Sequence, residues 1–187
     1  MNLEFVEKSI DINIPYKKFI SNDLFHHKYI LKKYIYKKEC YESKTVFFDR
    51  DGVLIKDKHF LSDPNLIEFE EGALDLITKF KLYGWKIIVV TNQSGIYRGH
   101  FNWDDYEKVT ERLIHKCGKS CQIDAIYANG LGPQTQINSW RKPNPEMIYE
   151  AANDIKLSLS SSIIIGDRLS DLLSGLKAGL KVVIHVK

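Results

Sequence analysis

Thr45 to Ile55, TVFFDRDGVLI, is a short apolar run that ends abruptly in Asp49, Arg50, Asp51 and Gly52. Thr45 to Phe48 reads as a buried strand, because β-branched and aromatic residues bounded by a glycine leave little polar surface to solvate. In an open α/β sheet the chemistry gathers beyond the carboxyl ends of the strands, which puts Asp49 and Asp51 where a reaction centre forms. Aspartates two apart on an extended segment share a face, and a tight turn at Gly52 can re-aim the second. Like charges this close call for a cation. A hard divalent ion with oxygen ligands, Mg²⁺ above all, suits a carboxylate site that handles phosphate. Taken alone, a DxDG reads equally well as a polar turn after a core strand, so the rest of the chain decides.

Downstream, short apolar strands alternate with amphipathic helices, the pattern of βαβ units and a mostly parallel sheet. Helices are predicted over Gly72 to Tyr83, with Gly84 as a C-terminal cap, and from Asn102 or Asp104 to Lys116. A third starts at Pro145 and reaches Asp154, and a last one holds Asp171 and Leu172. Strands are predicted over Lys86 to Val90, Ile123 to Ala128, Ser162 to Ile165 and Lys181 to Val186.

Four polar clusters therefore fall at or just past element ends: Asp49 with Asp51, Thr91 with Asn92, Arg141 with Lys142, and Asp167 with Asp171. Each type has a use in phosphoryl transfer, where catalysis consists of placing a nucleophile in line and neutralising charge on the equatorial oxygens. Asp49 can attack phosphorus as a carboxylate and form an aspartyl phosphate. Asp51 can protonate the leaving oxygen and later activate the hydrolytic water. The Thr91 hydroxyl and nearby backbone N–H groups can hold phosphate, Lys142 can supply a point charge, and Asp167 can complete the cation site. Individually, Thr91 also reads as an ordinary strand end, Lys142 as a surface lysine and Asp171 as a local cap.

The four clusters match, in order, the motifs of the haloacid dehalogenase (HAD) superfamily: DRDGV, TNQSG, RKP and GDRLSD. The chain resembles that superfamily from about Thr45 to Lys187. The resemblance implies a Rossmann-like three-layer αβα sandwich with a mostly parallel sheet. It implies Asp49 as nucleophile, Asp51 as acid and base, and Mg²⁺ held by Asp49, the Asp51 backbone carbonyl and Asp167. TNQSGIYRGHF and RKPNPEM are similar to the branch acting on D-glycero-D-manno-heptose 1,7-bisphosphate and on histidinol phosphate. Asp51 to Thr91 spans 91 − 51 = 40 positions and Thr91 to Lys142 spans 142 − 91 = 51, which leaves no room for a large cap domain. An open site of this kind suits a small phosphorylated sugar gripped by Arg98, Arg141 and Lys142, with Gln93, Ser94 and His59 as further contacts. Many members of the branch carry a Cys/His zinc loop before the RKP motif. Asn129 to Trp140, NGLGPQTQINSW, contains neither residue, so no structural zinc is expected there.

Residues 1–44 differ in character, being rich in Lys, Tyr, Ile and His, and form an N-terminal extension to a phosphatase domain at 45–187. Phe19 to Tyr36 carries apolar residues near helical spacing and is predicted to be a helix. Val6 to Ile20, VEKSIDINIPYKKFI, resembles the "IDIGIP" closing segment of sugar-phosphate nucleotidyltransferases, with Asn13 replacing the glycine. That makes a nucleotidyltransferase-like remnant, and a sugar nucleotidyltransferase as partner, an expectation.

Composition bounds the rest. The 187 residues carry 27 Lys+Arg against 24 Asp+Glu, a net charge of +3, which is too small a surplus for a dedicated nucleic-acid binder. No apolar run approaches the roughly 20 residues of a membrane span, and the N-terminus lacks the regions of a signal peptide, so a cytoplasmic protein is expected. Cys40, Cys117 and Cys121 have no metal-site spacing with histidine and read as reduced structural thiols. The expected activity is hydrolysis of a sugar phosphate monoester, heptose 1,7-bisphosphate first at its C7 phosphate, with histidinol phosphate as the rival substrate. The rival of another class is a catalytically vestigial module that binds a transferase.

Overall fold

The computed structural model describes residues 43–133 and 140–186, together with the backbone of three N-terminal strands: β1 (Phe5–Glu7), β2 (Lys17–Ile20) and β3 (Leu31–Ile35). The nucleotidyltransferase-like stretch lies largely outside the described residues, as do Cys40 and residues 134–139 before the RKP motif.

The remaining strands are β4 (Thr45–Phe48), β5 (Lys86–Asn92), β6 (Ala125–Asn129), β7 (Ile163–Gly166) and β8 (Val182–His185). They form a parallel sheet in the order β6-β5-β4-β7-β8, with β4 at its centre. Between them lie α1 (Ala73–Leu82), α2 (Ser94–Tyr97), α3 (Trp103–Cys117), α4 (Glu146–Ile155) and α5 (Leu169–Lys177). This is the Rossmann-like α/β sandwich expected from the sequence.

Why these runs become strands follows from their two buried faces. Val46 and Phe48 of β4, Ile87 and Val89 of β5, and Ile163 and Ile165 of β7 join one core with Ile77 of α1 and Tyr106, Val109 and Leu113 of α3. The alternate residues Phe47, Ile88, Val90 and Ile164 join a second core with Met147, Ile148, Ala151 and Ile155 of α4. Period-two side chains thus fill both layers at once. At the start of α3 the Asn102 side chain accepts from the N–H groups of Asp104 and Asp105, and Asp105 returns a bond to the Asn102 N–H. This capping box fixes where the helix after the second motif begins.

The predicted helix over Phe19 to Tyr36 is not formed at its two ends, where β2 and β3 are strands. β3 runs antiparallel beside β6, Leu31 opposite Asn129 and Ile35 opposite Ala125, and extends the sheet outward to β2 and β1. Pairing with the otherwise open backbone edge of β6 outweighs a weak helical period.

Cys117 and Cys121 are free and buried, and burial pushes the Cys117 thiol up to about 12. Cys121 Sγ lies 3.0 Å from Thr78 Oγ1 and bonds the Leu74 carbonyl. Both are packing thiols, as expected. Among the described residues no helix is long and apolar enough to cross a membrane.

Candidate active site

The carboxyl ends of β4, β5 and β7 open on one cavity of about 490 Å³. Asp49 and Asp51 reach it from β4, Asn92 to Gly95 from β5, and Arg168 and Asp171 from the turn after β7. The segment Arg141 to Pro143 supplies the fourth wall.

Beyond β4 the chain turns at Gly52, whose φ is +81° and whose N–H donates to the Ile55 carbonyl. A Cβ built there would stand 2.6 Å from Asp167 Oδ2, so glycine meets both the conformation and the close approach. Gly166 allows the close approach of Asp171, since a Cβ there would lie 2.2 Å from that of Asp171. Two glycines therefore bring three carboxylates together. One oxygen each from Asp49, Asp167 and Asp171 lie within 4.8 Å of one another.

Lys142 is the hub of this cluster. Its ammonium is 2.9 Å from Asp49 Oδ1, 2.6 Å from Asp171 Oδ1 and 2.7 Å from the Val90 carbonyl, so its three N–H groups are all used. Burial pulls its pKa down, but Asp49 and Asp171 outweigh burial and hold it above the ordinary lysine value. Asn92 seats the lysine: its amide donates to the Lys142 carbonyl and its oxygen accepts the Lys142 N–H. Asp171 also accepts the Arg168 N–H, the local cap that its sequence position suggested.

Asp49 Oδ1 receives the Arg50 backbone N–H at 2.7 Å in addition to Lys142. That leaves Oδ2 as the oxygen free to attack or to bind a cation. Asp167 Oδ1 is buried with no hydrogen-bond donor among the described residues. An orphaned buried carboxylate oxygen beside two further carboxylates fits a hard divalent cation bound through oxygen.

Burial pushes Asp49 up to about 6, with Asp171 and Asp51 adding to the rise and Lys142 opposing it. Burial raises Asp167 as well. Protons and a cation therefore compete for the same oxygens. Affinity for a divalent cation is expected to fall by about tenfold between about pH 7 and about pH 5 through the Asp49 proton alone. Calorimetric titration at about pH 7 and about pH 5 checks this, and an affinity flat across that range would contradict it.

Of the residues expected to touch substrate, Ser94 and Arg98 line the cavity and His59 stands at its rim, exposed. Arg141 lines it too, its Nη1 donating to the Leu131 carbonyl. Burial, then the charges of Arg98 and Arg168, lower the Arg141 pKa. Three guanidiniums thus converge on the mouth. Gln93 lines the cavity as well, and its buried amide bonds Asp51, Thr91 and Arg50, so it also holds those side chains in place. Thr91 is buried and accepts from Gln93 Nε2 at 2.8 Å. Residues not singled out from the sequence are Arg50, which grips Asp51, and Arg168, which pairs with Asp57 at 2.8 Å across the opening. Both sit inside the quoted motifs, and their position between catalytic-type aspartates was the available signal.

Comparisons with known proteins agree with this geometry. The HAD-hydrolase-like family model matches residues 139–185. The D-glycero-beta-D-manno-heptose-1,7-bisphosphate 7-phosphatase of Helicobacter pylori is 37% identical over 141 residues, covering 74% of this chain and 81% of that protein. The D-glycero-alpha-D-manno-heptose-1,7-bisphosphate 7-phosphatase of Burkholderia mallei is 33% identical over 146 residues, covering 74% and 77%. The crystal structure of D,D-heptose 1,7-bisphosphate phosphatase from B. bronchiseptica, complexed with magnesium and phosphate, superimposes with a TM-score of 0.69 at 28% identity, covering 75% of this chain and 79% of that one. The shared motifs, the sheet that presents them and these relatives agree: the chain belongs to the HAD superfamily, among its phosphatases of the heptose-bisphosphate branch.

Proposed function

We propose that this phosphatase removes the C7 phosphate of D-glycero-D-manno-heptose 1,7-bisphosphate, with Mg²⁺, through an aspartyl phosphate on Asp49. The observation that carries the mechanism is the Lys142 ammonium bonded to Asp49 and Asp171 at the strand ends. It keeps Asp49 oriented with one oxygen fixed and the other open to phosphorus, as an in-line nucleophile requires. Asp49, Asp167 and the Asp51 carbonyl are the groups that would hold Mg²⁺, which supplies charge neutralisation between a carboxylate and an incoming phosphoryl group. Asp51, on the cavity wall, donates a proton to the leaving oxygen and then accepts one from water.

The substrate assignment rests on the relatives and on the arginines. Arg98 and Arg168 both repel Arg141 at the mouth, and a second phosphate on the far end of the sugar relieves that repulsion. A bisphosphate is thereby favoured over a monophosphate.

Phosphate release with Mg²⁺ and with EDTA tests the reading, comparing both heptose bisphosphate anomers, histidinol phosphate and an aryl phosphate. Metal-dependent turnover highest on one heptose anomer is expected. A preference for histidinol phosphate would move the chain to the other half of the branch. No turnover on any, with the fold intact, would transfer it to a binding role.

A further inference from the structure

Arg50 stands between the two aspartates, and its side chain is 1% exposed. Its Nε and Nη2 both reach the Asp51 carboxylate, at 3.0 to 3.2 Å. Nη2 also donates to Gln93 Oε1 at 3.0 Å, and Gln93 Nε2 donates to Asp51 Oδ2 at 2.8 Å. The three side chains close a ring of hydrogen bonds. Below it, the Tyr106 ring from α3 lies 5.3 Å from the guanidinium carbon, within cation–π range.

A structural ion pair in a core has two buried partners. Here the cation is buried and the carboxylate it holds is 20% exposed and faces the cavity. Arg50 Nη1 finds no acceptor among the described residues, so the group's placement serves Asp51 and Gln93 rather than its own satisfaction. Nε stands 3.2 Å and Nη2 3.0 Å from both oxygens, so the carboxylate edge crosses the fork, and this four-contact orientation is what the point charge of a lysine cannot impose.

We propose that Arg50, braced by Gln93 and Tyr106, is a positioning residue that fixes the Asp51 carboxylate in the orientation from which it passes its proton to the leaving group. This rests on the reading of Asp51 as the acid and base. In the first step an Asp49 oxygen bonds to phosphorus and the bond from phosphorus to the leaving oxygen breaks, its electron pair staying on that oxygen. The leaving oxygen takes the proton from Asp51, which becomes ionised. In the second step water bonds to phosphorus and gives a proton to Asp51, while the aspartyl bond to phosphorus breaks and returns the Asp49 carboxylate.

Leaving-group dependence tests this, because an alkoxide needs the proton and a dinitrophenolate does not. Single-turnover release of the leaving group, the dephosphorylated sugar or 2,4-dinitrophenolate, would be followed for the best sugar phosphate and for 2,4-dinitrophenyl phosphate, with Mg²⁺ present. Asp51→Asn is expected to slow the sugar phosphate by about 100-fold or more and the aryl phosphate far less. Arg50→Lys is expected to follow the same pattern, about tenfold or more on the sugar phosphate and under about threefold on the aryl one. Should Arg50→Lys fail to fold, Gln93→Leu carries the same expectation. Equal slowing of both substrates, with Asp51→Asn selective, would overturn the positioning role alone. An unselective Asp51→Asn would overturn the acid/base reading and this inference with it.

Discussion

Asp49→Asn is expected to lower turnover by at least about 1000-fold on every substrate, while the folded state and its melting behaviour stay close to those of the unmodified protein. The carboxamide keeps the shape and still offers an oxygen to Lys142 and to the Arg50 N–H, the two donors that now meet Oδ1. What it loses is the nucleophile. Burial already disfavours a charge at this position, since Asp49 is pushed up to about 6, so a neutral replacement carries no electrostatic penalty in the metal-free protein. Steady-state phosphate release with a parallel urea melt measures both quantities. Retention of most activity would remove Asp49 from the reaction.

Lys142→Met makes the opposite prediction for stability. The lysine is 2% exposed and ties two buried carboxylates together, so deleting its charge leaves like charges facing each other in a low dielectric. A loss of about 3–5 kcal/mol at neutral pH is expected, together with loss of turnover. The sign with pH follows from Asp49. Its folded pKa of about 6 lies above its ordinary 3.8, so the stability it contributes is complete below 3.8 and is lost as pH rises through 6. Lys142 is the group that opposes this rise, and without it the window moves upward. The variant's deficit should therefore shrink as the pH is lowered toward about 5, which urea melts at about pH 5 and about pH 7 would register. A deficit constant across that range would mean that the lysine acts through packing alone.

The parallel core was legible because strands buried on both faces read as unbroken apolar runs, and the polar residues where β4, β5 and β7 end then stand out. Asp49, Asp51 and Asp167 follow those strands, and with Arg141 and Lys142 of the RKP motif they meet in one cavity or cluster. Residue type reveals chemistry but not direction, and Gln93 shows the difference. An amide beside a strand end resembles a sugar ligand, and here it also bonds Asp51, Thr91 and Arg50. Arg50 is the converse case, since its place between two aspartates marks it in the sequence while its burial shows only in the structure. The four-residue α2 is too short to show a period. β3 was missed because Leu31–Ile35 becomes a strand through its partner β6, remote in sequence, which local spacing does not register.

The proposed reaction passes through a covalent phosphoryl enzyme on Asp49. Rapid acid quenching during turnover of phosphate-labelled substrate, followed by mapping of the labelled peptide, tests it most directly. An acid-stable, base- and hydroxylamine-labile phosphoryl group is expected on Asp49, absent from Asp49→Asn, and at higher occupancy in Asp51→Asn turning over labelled 2,4-dinitrophenyl phosphate, whose leaving group needs no proton while release to water is slowed. Full turnover with the label on another residue, or with none trapped even in Asp51→Asn, would contradict it.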